Sequence, residues 1–354
     1  MEKTAYLVLQ NGQVFQGKRF GADGEITGEI VFTTAMTGYL ETLTDPSYYG
    51  QMVVQTFPAI GNYGVIPADF ESDSSHVKAY IVREWCQEPS NFRCEGTLDA
   101  FLKEKNIIGL YDVDTRELTK IIRCEGVMNA KITDSAEKAQ EIANELAACK
   151  ICDAVQAVSC KEAAEYSVEN AKHKVVMIDF GTKACVVNEL LNRGCTVVKV
   201  PYNTTAEQIL AMAPNGILLS NGPADPAENK QVIEQVAQLC KAGVPVFGIS
   251  LGHQLLALAQ GAETYKLKYG HRGANQPVKD IKNNRVFVTA QNHGYAVKAD
   301  TLPSNAEVTY VNVNDGSCEG IKYNNIPAFS VQFNPEGLAG YCYDEFVSLM
   351  EGEH

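Results

Sequence analysis

The sequence has no long apolar run, almost no tryptophan and no excess of positive charge. Only one of its 354 residues is tryptophan, and 43 acidic residues outnumber 30 basic ones, which gives a net charge of −13 at pH 7. No stretch approaches the roughly 20 apolar residues that a membrane helix needs. The basic surface that is typical of nucleic-acid-binding proteins is also missing. We therefore expect neither a membrane nor a nucleic-acid partner.

Several sequence motifs are absent as well. No G-x-x-x-x-G-K-[ST] phosphate loop occurs, so we expect no ATP and no other cofactor on this chain. Eleven cysteines include a single C-x-x-C pair, Cys149 and Cys152, with Cys160 as the nearest third thiol. A metal site would need a second pair, so we predict ordinary thiols and no metal. The start of the chain lacks the features of a signal peptide, and we expect a cytoplasmic location.

The first part of the chain, residues 1–152, mixes strand and helix signals. Asn11-Gly12 is a hairpin turn signal between two strand-like runs, and helical spacing recurs at 97–106, 115–126 and 135–150. This mixture predicts an α+β domain. A polar, weakly periodic segment at 153–173 is interpreted as a linker.

The second part, residues 174–354, alternates strands with helices over short connections. Such alternation predicts an α/β domain with a mainly parallel sheet and helices on both faces. Shorter strands are expected near 286–290, 307–313 and 328–333, followed by a last helix. The predicted fold is therefore an α+β domain followed by a doubly wound α/β domain.

One stretch of the second domain carries a nucleophile motif. The strand-like "VPVFGI" is followed by "SLGHQLLALAQ", so residues 248–252 read G-x-S-x-G. This pattern is typical of a sharp strand-to-helix turn that exposes a nucleophile. It makes Ser250 the candidate nucleophile and raises the question of which base would activate its hydroxyl.

Seven motifs occur in one order across the chain. They are "MTGYLETLTDPSYYGQ", "DVDTRELTKIIR", "LLSNGPADP", "PVFGISLGHQLLALAQGA", "KYGHRGANQPV", "TAQNHGYAV" and "FSVQFNPE". With these motifs the sequence resembles, from end to end, the small, glutamine-handling subunit of carbamoyl-phosphate synthase. The resemblance implies a family-specific N-terminal domain and a class I glutamine amidotransferase-like domain. It also implies L-glutamine as ligand and a large partner subunit that holds the ATP and the metal, for arginine or pyrimidine synthesis.

The catalytic positions implied by the resemblance are Ser250, Asn334 and Glu336. The family uses a Cys as nucleophile, a His as base and a Glu that orients the His. This sequence carries Ser250 at the Cys position and Asn334 at the His position, and it retains Glu336. An amide cannot accept a proton near neutral pH. The sequence therefore predicts a glutaminase centre that is impaired or inactive.

Two further departures surround these positions. Ala224 replaces the Gly of the family's "NGPG", and the stretch after Glu336 is short and different. If residue 224 requires a positive φ, alanine is disfavoured there by roughly 1 kcal/mol. Together the departures indicate relaxed selection at the catalytic rim.

The positions that surround glutamine in the family are better retained. The resemblance assigns them to Ser47, Gly222, Ala224, Leu251, Gln254, Asn292, Gly294 and Tyr295. Because Ser47 precedes residue 152, a pocket between the two domains is implied. His253 is expected to be a packing residue.

Four functions remain open from the sequence. The leading one is a small subunit whose glutaminase is impaired or inactive and that still docks on a large subunit able to use free ammonia. Ammonia-using family members that carry Ser at the nucleophile position offer a precedent. The second is an active glutaminase that uses an unseen base, with His271 and His293 as the histidines to consider. The third is a serine hydrolase, and the fourth is a scaffold or regulator without a ligand.

Overall fold

The computed structural model describes residues 3–352 and divides into two compact units, Met1–Ala154 and Val155–His354. Each unit has its own hydrophobic core. None of the helices within residues 3–352 is long and apolar enough to cross a membrane.

The first unit is built around a barrel. Its strands, in chain order, are Thr4–Leu9 (β1), Val14–Gly21 (β2), Ile26–Thr33 (β3), Gln51–Gln55 (β4), Ala59–Ile60 (β5), Ala79–Ile81 (β6), Glu84–Trp85 (β7), Ile108–Tyr111 (β8) and Met128–Thr133 (β9). The barrel closes in the order β1-β2-β8-β6-β4-β3-β9, and β5 pairs separately with β7. Apolar side chains that include Leu7, Ile30 and Leu110 fill its interior. Alternation along each strand sends one set of side chains inward.

The helices of the first unit are Tyr39–Thr44 (α1), Leu98–Glu104 (α2), Thr115–Glu125 (α3) and Ala139–Leu146 (α4). Helix α3 begins at a clear cap, because the Asp114 carboxylate accepts a hydrogen bond from the N–H of Glu117 at 2.9 Å. Its buried face carries Leu118, Ile121 and Ile122. The predicted β1–β2 hairpin and the helix near 115–126 are confirmed, whereas the closed barrel was not predicted.

The second unit contains one large mixed sheet. Its strands are Ala164–Tyr166 (β10), His173–Asp179 (β11), Cys195–Pro201 (β12), Gly216–Leu219 (β13), Val246–Ile249 (β14), Thr264–Asp280 (β15), Arg285–Val297 (β16), Ala306–Asn312 (β17), Cys318–Tyr323 (β18) and Ala328–Val331 (β19). The order is β10-β12-β11-β13-β14-β19-β18-β17-β15-β16. Strands β12, β11, β13, β14 and β19 run parallel to one another. The mainly parallel core predicted for this part of the chain is confirmed.

Helices cover both faces of this sheet. They are Ala154–Val158 (α5), Ala184–Asn192 (α6), Ala206–Ala211 (α7), Lys230–Lys241 (α8), Leu251–Ala259 (α9) and Tyr341–Met350 (α10). Side chains of α7, α8 and α9 belong to one core cluster, and side chains of α6 and α10 belong to another. Because the carboxyl ends of parallel strands meet at one edge, the turns after β11, β13, β14 and β19 are brought together there.

Two segments differ in detail from the sequence-based expectation. Residues 153–173, interpreted as a linker, carry helix α5 and strand β10, and β10 pairs antiparallel with β12. The expected short strand at 286–290 is part of the long hairpin formed by β15 and β16. Glycine, proline and charged residues interrupt the apolar pattern of β15, which explains why its length was not evident.

Candidate active site

Ser250 lies at a sharp turn between β14 and α9. Its backbone has φ 52° and ψ −105°, a conformation that costs an L-residue on the order of 1–3 kcal/mol. The Ser250 N–H donates to the Val331 carbonyl at 2.8 Å, and the Gln254 N–H donates to the Ser250 carbonyl at 3.2 Å. These bonds tie the turn to the neighbouring strand and to the helix. The strand-to-helix elbow predicted from the G-x-S-x-G pattern is confirmed.

Gly252 allows α9 to begin directly against β13. A Cβ atom at this position would lie 2.2 Å from the Leu219 carbonyl oxygen, which is far inside van der Waals contact. The Gly252 N–H donates to the Ser220 carbonyl at 3.0 Å. Any side chain at residue 252 would push the helix away and move Ser250 with it, so the geometry explains the glycine.

Asn334 and Glu336 follow β19, the strand next to β14. The Asn334 N–H donates to the Ala290 carbonyl at 2.9 Å, and the Glu336 N–H donates to the Asn334 carbonyl at 2.9 Å. The Glu336 carboxylate accepts from Lys183 Nζ at 2.5 Å, and Cys185 Sγ lies 3.5 Å from the same oxygen. The Lys183 side chain is only 6% exposed. A nearly buried cation therefore holds the retained glutamate.

The Ser250 hydroxyl forms no hydrogen bond to another residue within residues 3–352, so none of these residues is placed to accept its proton. His253 is the nearest histidine in the sequence, but it is fully buried and its Nδ1 lies 2.8 Å from Ser330 Oγ. Burial lowers the pKa of His253 to about 3. His253 is a neutral packing residue, as expected from the sequence.

His293 is also committed to internal contacts. Its Nδ1 lies 2.7 Å from the Tyr295 carbonyl and its Nε2 lies 2.9 Å from Gln291 Oε1. Burial, and then the nearby charge of His271, lowers the pKa of His293 well below its usual value. A ring of such low basicity is poorly suited to accept a proton at neutral pH.

His271 lies between two carboxylates. Its Nε2 is 2.9 Å from Asp315 Oδ2, and its Nδ1 is 3.5 Å from Glu319 Oε1. Burial alone would lower the pKa of His271, but the hydrogen bonds to Asp315 and Glu319 outweigh it and raise this pKa to about 9. The ring is therefore an imidazolium at neutral pH. His271, His293 and Glu319 place ligand atoms within 4.8 Å of one another, but these atoms already form an ion-pair and hydrogen-bond network.

Several predicted glutamine-binding residues come together around the elbow. Gln254 Nε2 donates to the Tyr295 carbonyl at 2.7 Å and to Gln332 Oε1 at 2.9 Å. A Cβ at Gly222 would lie 2.8 Å from the Leu251 side chain. The N–H of Leu251, at the first position of α9, donates to no carbonyl within residues 3–352, so it is free to hold an oxyanion.

Asn292, Gly294 and Ala224 complete the second-unit part of this set. Asn292 and Gly294 lie on β16, which bridges through Ala290 to Asn334. Ala224 has φ 72°, so the condition under which alanine is disfavoured is met.

Ser47 lies in the first unit, in a single 3-10 turn, Pro46–Tyr48. Its N–H donates to Asp45 Oδ1 at 2.8 Å, and the residue is buried. Its contribution to a glutamine pocket stays a prediction.

Comparisons with known proteins give one consistent result. The model of the carbamoyl-phosphate synthase small chain, CPSase domain, matches residues 7–132, and that of class-I glutamine amidotransferase matches residues 176–342. The carbamoyl phosphate synthase small chain of Clostridium perfringens is 48% identical over 97% of this chain and 98% of its own length. The small chain of Listeria monocytogenes is 46% identical over 98% of this chain and 97% of its own length. That of Fusobacterium nucleatum is 47% identical over 98% of this chain and 98% of its own length.

The chain belongs to the carbamoyl phosphate synthase small chain family. The resemblance drawn from the ordered motifs is thereby confirmed for both halves of the chain. What sequence reasoning missed within this family frame is the Lys183–Glu336 ion pair and the charged pair of His271 with Asp315. Lys183 lies between the end of β11 and the start of α6. A lysine that follows a parallel strand is expected at the carboxyl edge of the sheet, and this position could have indicated its place in the site.

The strain at Ala224 gives a stability prediction. Replacing Ala224 by glycine removes the Cβ that disfavours φ 72°, and should raise the free energy of unfolding by about 0.5–1 kcal/mol. Ala237, inside α8, is the matched control, since the same change in a helix should lower that free energy by a similar amount. Urea unfolding followed by far-UV circular dichroism measures both. A loss of stability in Ala224→Gly would show that the positive φ is not strained.

The His271 network gives a pH prediction. Because the folded pKa is about 9 and the unfolded value is about 6.5, the network stabilises fully below about pH 6.5. This stabilisation, on the order of 3 kcal/mol, is lost as the pH rises through about 9. The His271 imidazole proton resonances should therefore titrate near pH 9. Asp315→Asn should lower this pKa by roughly a unit or more, whereas Asp300→Asn, an exposed change in the same unit, should leave it unchanged. Titration of His271 near its unperturbed value would contradict the network.

Proposed function

We propose that this chain is a carbamoyl phosphate synthase small subunit whose glutamine-hydrolysing centre is impaired or inactive. One observation carries the proposal: the Ser250 hydroxyl, at a well-formed elbow, has no base within hydrogen-bond reach among residues 3–352. Asn334 occupies the position after β19 from which a family base would act.

The chemistry follows from whether each group can accept and return a proton. A serine hydroxyl is a weak nucleophile unless a base accepts its proton as it attacks. The Asn334 amide cannot accept that proton, nor can it return one to the leaving ammonia. Glu336 cannot replace the missing base in its present contacts, because its carboxylate is held by Lys183. Loss of such a unit typically lowers the rate by about 10⁴-fold or more.

The remaining site is still built to bind an amide substrate. The Leu251 N–H is oriented by the start of α9 and has no acceptor within residues 3–352. The Gln254 side chain is anchored through its Nε2, which leaves its Oε1 able to accept a hydrogen bond from a ligand. These contacts, together with Gly222, Asn292, Gly294 and Tyr295 of the same unit, support L-glutamine binding without turnover.

A large subunit is the partner that this function requires. The sequence contains no G-x-x-x-x-G-K-[ST] phosphate loop, and we infer from the family that the ATP-dependent steps and their metal belong to the large subunit. With the glutaminase centre impaired, we infer that the large subunit uses free ammonia and that the small subunit serves to complete the assembly.

Reversion of the two altered positions tests the impaired centre. Ser250→Cys alone should add little ammonia release from glutamine, because no base accepts the thiol proton. Asn334→His alone restores a base that Glu336 can orient. The gain in ammonia release of the double variant should exceed the product of the gains of the two single variants, because neither group catalyses without the other. We expect the double variant to release ammonia roughly 10³-fold or more faster than the unchanged chain.

The control for these variants introduces the same residue types elsewhere. Ser304→Cys with Asn324→His places a thiol and an imidazole at exposed positions of the same unit, and it should release no more ammonia than the unchanged chain. Equal activity in the unchanged chain and in the double reversion would refute the proposal and would favour a base outside the family positions.

Glutamine binding is tested separately from turnover. Calorimetry should show saturable binding of L-glutamine to the unchanged chain while no ammonia is released. Gln254→Leu should weaken this binding by roughly tenfold, because it removes a polar acceptor and the anchor to the Tyr295 carbonyl. Gln238→Leu, at an exposed position of α8, should not change it. No heat of binding in the unchanged chain would indicate a scaffold without a ligand.

A further inference from the structure

A cleft in the first unit is lined by positive charge although the chain as a whole is strongly acidic. It has a volume of about 640 Å³ and lies between α3, the segment after β4 and the end of β6. The side chains that line it are Thr56, Pro58, Arg83, Asp114, Thr115, Arg116, Thr119, Lys120 and Arg123. Four cations and one carboxylate thus face one cleft in a chain of net charge −13.

Three of these cations form a stripe on one exposed side of α3. Arg116, Lys120 and Arg123 are spaced four and three residues apart, so they lie on the same face of the helix. From Arg116 to Arg123 the helix rises roughly 10 Å. The opposite face of α3 is buried, which fixes the direction of the stripe. Like charges at these spacings destabilise a helix, and a bound anion would relieve that repulsion.

The two ends of the stripe have no carboxylate partner in the part of the chain that the structure describes. Within residues 3–352 neither Arg116 nor Arg123 forms an ion pair or a side-chain hydrogen bond. The Asp114 carboxylate, at the start of α3, is occupied by the Glu117 N–H. Two guanidinium groups therefore face the cleft with all their donors open to a ligand.

The other two cations are only weakly neutralised. Arg83 lies 3.4 Å from Asp112, and Lys120 lies 3.0 Å from Glu117. All four of these side chains are about half exposed, so the pairs contribute little and can exchange partners. The hydroxyls of Thr56 and Thr119 donate to the carbonyls of Thr33 and Thr115, so these two hydroxyls are already bound to the backbone and the four cations are the charged donors of the cleft.

We propose that this cleft binds a small molecule that carries two or more phosphate groups. Guanidinium groups bind phosphate oxygens through paired N–H donors, and several of them together select a polyanion over a single negative charge. The volume is that of a small-molecule site, not of an extended protein interface. The spacing along α3 allows separate phosphate groups to contact Arg116 and Arg123. This site goes beyond the glutamine chemistry and does not depend on it.

Calorimetry and thermal unfolding with two probes test this site. Inorganic pyrophosphate and ATP are titrated at constant ionic strength, up to roughly 10 mM, a concentration that would reveal even millimolar affinity. Both probes should bind saturably if phosphate groups alone suffice, and stronger binding of ATP would show that the cleft also contacts the organic part. Arg116→Gln with Arg123→Gln should weaken binding roughly tenfold or more, without changing glutamine binding.

Matched controls separate the site from general charge effects. Lys230→Gln with Lys241→Gln removes the same net charge from exposed positions of α8 and should leave probe binding unchanged. The proposal is overturned if neither probe binds, or if sodium chloride at the same ionic strength reproduces the stabilisation. It is also overturned if the arginine variant binds as well as the unchanged chain. Binding of poly-glutamate without binding of either phosphate probe would reassign the cleft to an acidic protein segment.

Discussion

The close approach of α9 to the end of β13 is the constraint on which the candidate site depends. The backbone of Gly252 lies where any side chain would collide with the Leu219 carbonyl. This contact, with the hydrogen bond from the Gly252 N–H to Ser220, fixes the first turn of the helix. Ser250 is then forced into a strained turn at the carboxyl edge of the sheet. The position of Ser250 is thus set by backbone packing and not by its side chain.

The same edge collects the other groups of the site from separate strands. Strands β11, β13, β14 and β19 lie side by side in this order and run parallel. The turns that follow them therefore meet at one edge of the sheet. Lys183 enters from the turn after β11, and Glu336 enters from the turn after β19. Their ion pair therefore connects the turns that follow β11 and β19, two strands that are separated in the sheet by β13 and β14. Electrostatic attraction between a nearly buried ammonium and a carboxylate whose side chain is 35% exposed stabilises this arrangement only because both strand ends are already held by the sheet.

The sequence was sufficient where a local pattern determines the structure. The strand-to-helix alternation predicted the parallel core, and the glycines at 248 and 252 predicted the elbow, because each depends on residues close together in the chain. The barrel of the first unit depends on pairings between distant strands such as β1 with β9, which no local pattern encodes. The long β15–β16 hairpin was missed because its bulges and polar residues disrupt alternation.

For the site, residue types were predictable and their partners were not. The amide at residue 334 and the hydroxyl at residue 250 can be read from the sequence. The engagement of Glu336 by Lys183 spans 153 positions in the chain, and the charged state of His271 depends on Asp315 and Glu319 across the folded sheet. Charge pairing over such distances appears only when the strands are assembled. The sequence therefore supplies the residue types of the candidate site, while the structure shows how the charges around them are distributed.

These contacts also show which positions of the candidate site support the fold through their side chains and which do so through the backbone alone. Ser250 is held through its N–H and its carbonyl, and Asn334 is held through its N–H on Ala290. Neither of these interactions uses the side chain, so substitutions at the two positions leave the supporting hydrogen bonds in place. Gln254 is different, because its side chain is anchored to Tyr295 and Gln332, and the loss of that side chain would leave buried polar groups without partners. Folding stability therefore constrains the side chain of Gln254 more tightly than it constrains the side chains of Ser250 and Asn334, so the shape of the candidate site does not depend on which side chains those two positions carry.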